Sequence, residues 1–125
     1  MASNDIARLS VEDVEKLINT SDAQIVDVRP PFDYFGGRVP GALNLPATSV
    51  VSRNAQVPKD RKLVFVDDDG QGMSLEAAQA ALDSGFYTEG VAILDGGYDA
   101  WIEADKTTET ISDGIQPPPV KKAAS

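Results

Sequence analysis

The stretch that decides the fold runs Leu63-Val64-Phe65-Val66-Asp67-Asp68-Asp69-Gly70-Gln71-Gly72-Met73-Ser74, and an alanine-rich segment follows it directly. The apolar residues at its start are typical of a buried strand, and the Asp and Gly residues after them indicate a turn. Residues 74–82 have the composition of a helix with Ser74 as its N-cap. This order predicts a site at the helix N-terminus, where unpaired N–H groups carry a partial positive charge. The loop places three carboxylates there and no obvious nucleophile.

The composition of the whole chain limits the chemistry of such a site. The 125 residues, of which 42 % are hydrophobic, suffice for one core but not for two. Twenty acidic residues against 11 basic ones give a net charge of −9, which disfavours binding to nucleic acid or to an anionic membrane. The sequence contains neither Cys nor His, so it offers no thiolate nucleophile, no disulfide and no imidazole metal ligand.

The sequence also predicts a cytoplasmic protein. It contains no apolar run long enough to cross a bilayer, and residues 1–5 lack the basic start and apolar stretch of a signal peptide. No cofactor and no metal centre are expected from these residue types.

Predicted strands and helices alternate outward from the central stretch. Residues 10–19 form an amphipathic helix and residues 23–28 a buried strand that ends at a pair of prolines. Further elements are predicted as a helical turn or two at 30–35, a brief strand at 43–46, a short helix within 47–62, a strand at 91–94, and a helix at 98–102 anchored by Trp101. The alternation predicts a three-layer α/β sandwich around a mainly parallel sheet.

A domain boundary is predicted near residue 105. Residues 1–105 make up the α/β domain, and residues 106–125 have the polar, proline-rich composition of a disordered tail. The three prolines at 117–119 could present a polyproline II ligand, although a solvated tail is the simpler interpretation.

Three blocks of this sequence resemble the rhodanese-like domain family. The first joins Asp27-Val28-Arg29 to Asp33-Tyr34 and to Gly37-Arg38-Val39-Pro40-Gly41-Ala42, which is similar to a DVR strand followed by a G-H-I-P-G-A turn. The last, Leu94-Asp95-Gly96-Gly97-Tyr98-Asp99-Ala100-Trp101, resembles the family's L-D-G-G-x-x-A-W signature. Between them lie the strand, loop and helix described above. The resemblance covers about residues 6 to 104 and implies the family's sheet of about five strands.

The resemblance also implies which residues stand at the active-site positions. Sulfurtransferases of the family carry a cysteine in a C-x-x-G-x-R-S loop, and phosphatases of the same fold have a longer C-x5-R loop. With the longer loop, Asp67 falls at the cysteine position and Met73 at the arginine position. With the shorter loop, counting back from Ser74 places Asp68 at the cysteine position instead. Either register leaves a carboxylate there.

A carboxylate at this position cannot carry sulfur as a persulfide. Met73 in place of arginine removes the donor fork that would hold a thiosulfate or phosphate oxyanion. A loop carboxylate would moreover repel a substrate anion about 5 Å away by roughly 3 kcal/mol at an effective dielectric near 20. The segment formed by Asp67, Asp68, Asp69, Gly70, Gln71, Gly72 and Met73 is therefore interpreted as a degenerate active-site loop.

A physical role remains for Asp67. We hypothesise that its carboxylate lies where a substrate anion would lie and accepts N–H bonds from residues 70–74, which would depress its pKa. The alternative is that the three aspartates only form a solvated turn. Asp27 and Asp95 have a structural interpretation as strand-end residues that cap nearby turns.

The leading functional prediction is a catalytically silent module that binds or regulates a protein partner. Its contact face is predicted from Phe32, Tyr34, Phe35 and Arg38 beside the acidic loop. The aromatic side chains are equally compatible with a place in the core.

Two other functions stay open at the level of the sequence. One is a sulfurtransferase-family or phosphatase-like enzyme in which Asp67 acts as an unconventional nucleophile and forms an acyl phosphate, although no Mg²⁺ site and lysine accompany it. The other is weak cation binding, because Asp67-x-Asp69-x-Gln71-Gly72 matches the opening of a calcium loop. That match is broken at Ala78, where the loop requires a glutamate.

Overall fold

A five-stranded parallel sheet forms the centre of the computed structural model, which describes residues 6–110 and 114–116. Its strands are β1 (Ala7–Leu9), β2 (Ala23–Asp27), β3 (Leu43–Asn44), β4 (Lys62–Val66) and β5 (Val91–Leu94). The spatial order is β1-β5-β4-β2-β3, and each neighbouring pair is parallel. All four residues of β5 and the last four of β4 are buried, as in a parallel sheet covered on both faces.

Helices cover both faces of this sheet. The described part of the chain contains α1 (Val11–Asn19), α2 (Pro31–Gly36), α3 (Met73–Ser84) and α4 (Gly97–Glu103). The cores on the two faces show that α1 and α4 pack on one side and α3 on the other. The predicted three-layer α/β sandwich with a parallel sheet is therefore confirmed. Across the described residues, none of the helices combines the length and apolarity needed to cross a bilayer.

The alternation of side chains along β4 divides the core in two. Phe65 points to the α3 side, where it joins Ala77 of that helix, and Val64 points to the other side, where it joins Val14 and Trp101. Trp101 is buried, and its Nε1–H donates to the carbonyl of Thr107 at 2.7 Å. The predicted anchoring role of this tryptophan is confirmed.

Three local features differ from the sequence-based expectations. No local pattern indicated β1, because three residues are too few to show a period. The short helix expected within 47–62 is two 3₁₀ turns, at Ala47–Ser49 and Asn54–Gln56. Ser74 is not the N-cap of α3, since that helix begins at Met73 after Gly72. A side chain from outside the helix makes the capping contact in its place.

The chain continues in an ordered path beyond the predicted boundary at residue 105. Residues Thr108–Thr110 form β6, which pairs antiparallel with β7 (Gly114–Gln116). The N–H and carbonyl of Glu109 exchange hydrogen bonds with the backbone of Arg38, and Thr108 is buried. The structure thus describes a strand at Thr108–Thr110, held in part by the pairing of Glu109 with Arg38, within the segment that the sequence assigns to the tail. Residues 111–113 and 117–125, which include the three prolines, lie outside the described residues.

Candidate functional site

The loop between β4 and α3 closes around the side chain of Asp67. Its Oδ1 accepts the N–H of Gly70 at 2.5 Å, and its Oδ2 accepts those of Gly72 at 3.2 Å and Ser74 at 2.8 Å. Asp67 is only 3 % exposed. The carboxylate thus binds the N–H groups that face the inside of the loop, two of which belong to residues at or next to the first turn of α3. The predicted hydrogen bonds from the N–H groups of residues 70–74 to Asp67 are therefore confirmed. The alternative of a solvated turn is wrong for this residue.

The pKa of Asp67 follows from two opposing effects. Burial raises it, because a charged carboxylate loses hydration. The N–H groups of Ser74, Gly70 and Gly72 favour the charged form, and the pKa lies below its ordinary value as a result. The positive end of α3 acts in the same direction. Backbone dipoles therefore keep this buried acid ionised.

The first turn of α4 holds the acidic loop in place. The carbonyl of Asp67 accepts the N–H of Tyr98 at 2.8 Å, and that of Asp68 accepts the N–H of Asp99 at 3.0 Å. Gly97, at φ +64°, allows this approach, since a Cβ there would lie 2.6 Å from the carbonyl oxygens of Asp67 and Asp68. The first residues of α4 therefore fix the path of the acidic loop from outside it.

Arg8 of β1 contacts the same loop from the edge of the sheet. Its Nη1 donates to the carbonyl of Gly70 at 2.9 Å and pairs with Asp95 at 3.4 Å. The sequence did not single out Arg8, because it lies in a strand too short to be predicted. Tyr98 and Asp99 were noted only as letters of a motif, and no sequence signal indicated that their N–H groups reach across to another loop.

The end of β2 carries a second buried acid with a different environment. Asp27 and Arg29 are both buried, and the arginine Nη2 lies 2.7 Å from Oδ2 of the aspartate. Arg29 also donates from Nε to both carboxylate oxygens, from its own N–H to Oδ1, and from Nη2 to the carbonyl of Gly37 at 2.7 Å. Its guanidinium carbon lies 4.1 Å from the centre of the Tyr98 ring. This arginine therefore has a carboxylate, a backbone carbonyl and an aromatic ring as partners.

The predicted contact face is exposed only in part. Phe32 is 87 % exposed and Phe35 54 %. Tyr34 is half-buried, and its hydroxyl donates to the carbonyl of Ala42 at 2.5 Å. Arg38 is buried, stacks over the Tyr34 ring at 4.3 Å and lies 3.9 Å from Glu109. Within the predicted contact face Arg38 is therefore a buried residue, whose side chain ties the turn after α2 to β6.

Two open cavities lie beside the loop and share Arg29 in their walls. One, of about 270 Å³, is lined mainly by apolar side chains, including Val28, Pro31 and Met73. The other, of about 360 Å³, is bordered by Phe32 and Tyr98 and by three acids, Asp33, Asp68 and Asp99.

The neighbouring charges of the second cavity act on Asp68. The pKa of Asp68 is raised, first by partial burial; Arg29 counteracts this, while the neighbouring charges of Asp33, Asp99 and Asp67 add to it. Unlike Asp67, the side chain of Asp68 is exposed. The two aspartates that the sequence left as alternatives for one position thus have different surroundings, and it is Asp67 that the N–H groups surround.

The remaining loop residues show no cation site. Asp69 is exposed and its Oδ1 accepts the N–H of Gln71 at 2.9 Å, so it stabilises the turn, and both oxygens of Asp67 are occupied by N–H groups. Within residues 6–110 and 114–116, no three acidic side chains converge as metal ligands would. The arrangement of these carboxylates therefore does not support the calcium-loop pattern seen in the sequence.

Similarity to known proteins covers most of the chain. The family model of the rhodanese-like domain matches residues 10–104. The chain is 36 % identical over 97 residues to the thiosulfate sulfurtransferase GlpE of Shewanella oneidensis, a match that covers 78 % of this chain and 93 % of that protein.

Solved structures agree with this result. A rhodanese-related protein from Thermoplasma volcanium superposes with a TM-score of 0.70 at 20 % identity, over 82 % of this chain and 96 % of that one. A Rhodopseudomonas palustris protein of unknown function, described as a possible tyrosine phosphatase, superposes with a TM-score of 0.67 at 31 % identity, over 79 % of this chain and 81 % of that one.

Proposed function

The chain belongs to the rhodanese-like domain family, and we propose that within this family it is a non-catalytic module that binds a protein partner. The observation that supports the proposal is Asp67, whose carboxylate fills the loop at the N-terminus of α3. A chain without cysteine has no atom there that can accept and release a sulfane sulfur. The proposal assigns Asp67 to the position that the cysteine holds in the family's sulfurtransferases.

The filled loop also argues against capture of a substrate anion. The N–H groups that would stabilise the anion already bind Asp67, and the carboxylate would repel an oxyanion that entered. Met73 supplies no donor at the start of the helix, and the buried Arg29 is held by Asp27. Sulfur transfer and phosphatase chemistry, the two activities of this fold, would therefore lack both a thiolate nucleophile and a group that binds the substrate anion.

An enzyme that uses Asp67 as a nucleophile is the competing hypothesis. Attack on phosphorus would require one carboxylate oxygen to leave its N–H partners and reach a substrate, whereas the residue is 3 % exposed. The N–H groups released by this movement would lose their acceptor, at a cost of about 1–3 kcal/mol each. We therefore favour binding over catalysis.

The surface beside the loop supports a binding role. Phe32 and Phe35 lie on α2 with more than half of their surface in solvent. Large exposed aromatic side chains next to charged groups are common anchors of protein interfaces. We propose that these two residues, with the rim formed by Asp68, make the first contact with the partner.

Two enzyme assays test the catalytic half of the proposal. Thiosulfate with cyanide measures sulfur transfer, and an aryl phosphate measures phosphatase activity; the Shewanella oneidensis sulfurtransferase serves as the positive control for the first. We expect no turnover above the uncatalysed rate in either assay. Turnover that disappears in Asp67→Asn would contradict the proposal.

Recovery of partners from a native lysate tests the binding half. Proteins retained by the intact domain should be lost with Phe32→Ser combined with Phe35→Ser, which leave the core untouched. Leu75→Ser is the matched control, because Leu75 is exposed on α3 and belongs to neither cavity. Retention of the same proteins by the Phe32→Ser, Phe35→Ser variant would show that this face is not the contact.

A further inference from the structure

The two cavities beside the acidic loop border one another at Arg29 and together give a surface of two chemical characters. Arg29 lies in the walls of both, and the Pro30-Pro31-Phe32 segment runs between them, since its prolines line the first cavity and Phe32 the second. We call this surface the composite groove. It combines an apolar depression and an acidic one at the carboxyl ends of the central strands, where ligands of open parallel sheets commonly bind.

The acidic half carries an excess of negative charge among the residues that the structure describes, with three carboxylates beside one arginine. Asp33, Asp68 and Asp99 form no ion pair in the described part of the chain. The one cation in this wall, Arg29, is bound to Asp27 and Gly37. Partial burial is the main cause of the raised pKa of Asp68, and the charges of Asp33 and Asp99 add to it, so these acids lie close enough to repel one another. A cation placed among them would relieve this repulsion.

The apolar half requires a different kind of group. Val28, Pro46, Ala47 and Met73 contribute carbon surface to a cavity of about 270 Å³. Met73 is 40 % exposed at the first position of α3, so an apolar side chain lies where a polar one would also fit. Burial of such surface favours an apolar ligand by roughly 25 cal/mol per Å².

We propose that the composite groove binds a peptide segment of a partner protein in which a lysine or arginine stands close to an apolar side chain. The inference rests on the proposed function and specifies the partner's chemistry. The basic side chain enters among Asp33, Asp68 and Asp99 with its stem along the exposed Phe32 ring, where a cation–π contact adds to the attraction. The apolar side chain enters the depression beside Met73.

The negative charge of the composite groove favours a basic peptide over other classes of ligand. Nucleic acid, anionic lipid and acidic peptides would each bring negative charge to three carboxylates on a chain of net charge −9. A small free cation would find carboxylates that do not converge as metal ligands within the described residues. A basic side chain needs no such convergence, because its attraction to the acids acts over several ångströms.

Selection from a phage-displayed library of random peptides on the intact protein identifies the preferred ligand, whatever the partner is. We expect the enriched sequences to contain Lys or Arg close to Leu, Met or an aromatic residue. A synthetic peptide of the consensus is then titrated by calorimetry at low and high NaCl concentrations. Its binding should weaken as salt rises, because exposed charge pairs are screened.

Matched variants locate the binding on the groove. The triple substitution Asp33→Asn, Asp68→Asn and Asp99→Asn should weaken the consensus peptide about tenfold. The control Glu12→Gln, Asp83→Asn and Glu89→Gln removes the same amount of charge from exposed positions outside both cavities and should change affinity less than about twofold. Met73→Asn should weaken binding, and Met73→Leu should retain it.

Three outcomes would overturn the inference: no enrichment, a consensus without basic residues, or equal losses in the two triple variants. A consensus peptide that lacks basic residues but whose binding depends on Phe32 would leave the proposed function intact and remove only this inference. Sulfur transfer or phosphatase turnover would instead remove the proposed function. The two failures are therefore distinguishable.

Discussion

Asp27 and Asp67 are buried acids at the ends of two paired strands, and the fold stabilises their charges with different kinds of partner. Asp27 ends β2 and pairs in register with Val66, the residue before Asp67. The charge of Asp27 is balanced by the guanidinium of Arg29, at 2.7 Å. That of Asp67 is balanced by three N–H groups of the polypeptide, and no salt bridge to it occurs among the described residues.

This difference separates a structural ion pair from a filled binding site. A guanidinium bound side-on to a carboxylate, as at Asp27, is specific in geometry and leaves little room for another ligand. A loop of N–H groups at a helix N-terminus is a general anion site, indifferent to whether the anion belongs to a substrate or to the chain. We therefore expect that Asp67 can be removed with the site left intact, whereas Asp27 and Arg29 depend on each other.

The largest effect is expected from Arg29→Met, which breaks the ion pair. It leaves Asp27 buried without its counter-charge, and we expect a loss of about 3–5 kcal/mol in the free energy of unfolding. Urea denaturation near neutral pH measures it. Arg61→Met is the control, because its ion pair with Asp60 is exposed at the surface and should contribute at most about 0.5 kcal/mol. Equal losses in the two variants would contradict the distinction.

A smaller effect is expected from Asp67→Asn. The amide turns an N–H group toward loop N–H groups that need an acceptor, so we expect a loss of about 2–3 kcal/mol near neutral pH. Urea denaturation again measures the loss. Asp69→Asn is the matched control, since an asparagine oxygen can still accept the N–H of Gln71 and the side chain is exposed.

The pH dependence of the same variant gives a second measurement. Because the pKa of Asp67 is lower in the folded state than in the unfolded chain, its stabilisation is complete above the unfolded pKa and is lost as pH falls through the folded pKa. The stability difference between the native chain and Asp67→Asn should therefore be constant above about pH 5 and shrink toward pH 2. A difference that stays constant down to pH 2 would show that the charge of Asp67 is not stabilised.

Gly97→Ala should perturb the filled loop and leave the ion pair intact. An added Cβ would meet the carbonyls of Asp67 and Asp68 at 2.6 Å with the backbone in the left-handed region, so we expect a cost of about 2 kcal/mol. Thermal unfolding measures it. Gly36→Ala, at the end of α2, is the control, because a Cβ there meets no atom within 4 Å in the described part of the chain and its φ lies outside the left-handed region.

The smallest expected effect tests whether the loop still binds anions. With Asp67→Gly the three N–H groups lose their acceptor, and sulfate at several times its dissociation constant should restore about 1 kcal/mol of stability. Sodium chloride of equal ionic strength serves as the reference, and Asp69→Gly controls for general effects of sulfate. If sulfate stabilises both variants alike, the N–H groups do not form an anion site once the carboxylate is gone.

Much of the architecture could be predicted from local residue patterns. The apolar run before Asp67 and the alanine-rich segment after it indicated a strand and a helix, because buried parallel strands and helix-forming residues leave strong local signals. The contact between Asp67 and the loop was also predictable, since the unpaired N–H groups of a helix N-terminus are good hydrogen-bond donors for a carboxylate that lies a few residues before it. The strand at Ala7–Leu9 and the segment at Thr108–Thr110 were not predictable, because each is ordered by a distant partner.

The parallel α/β fold and the absence of a thiolate follow from the residue types and their order alone. Three features follow only from the packing of the folded chain: which aspartate lies inside the loop, the burial of Arg38 beside an exposed Phe32, and the meeting of Asp33, Asp68 and Asp99 in one cavity. These three acids come from α2, the acidic loop and α4. Each of these follows one of the central strands, and the strand order brings them together at the carboxyl ends of those strands. Residues so far apart in the chain leave no local pattern, because their proximity is created by packing.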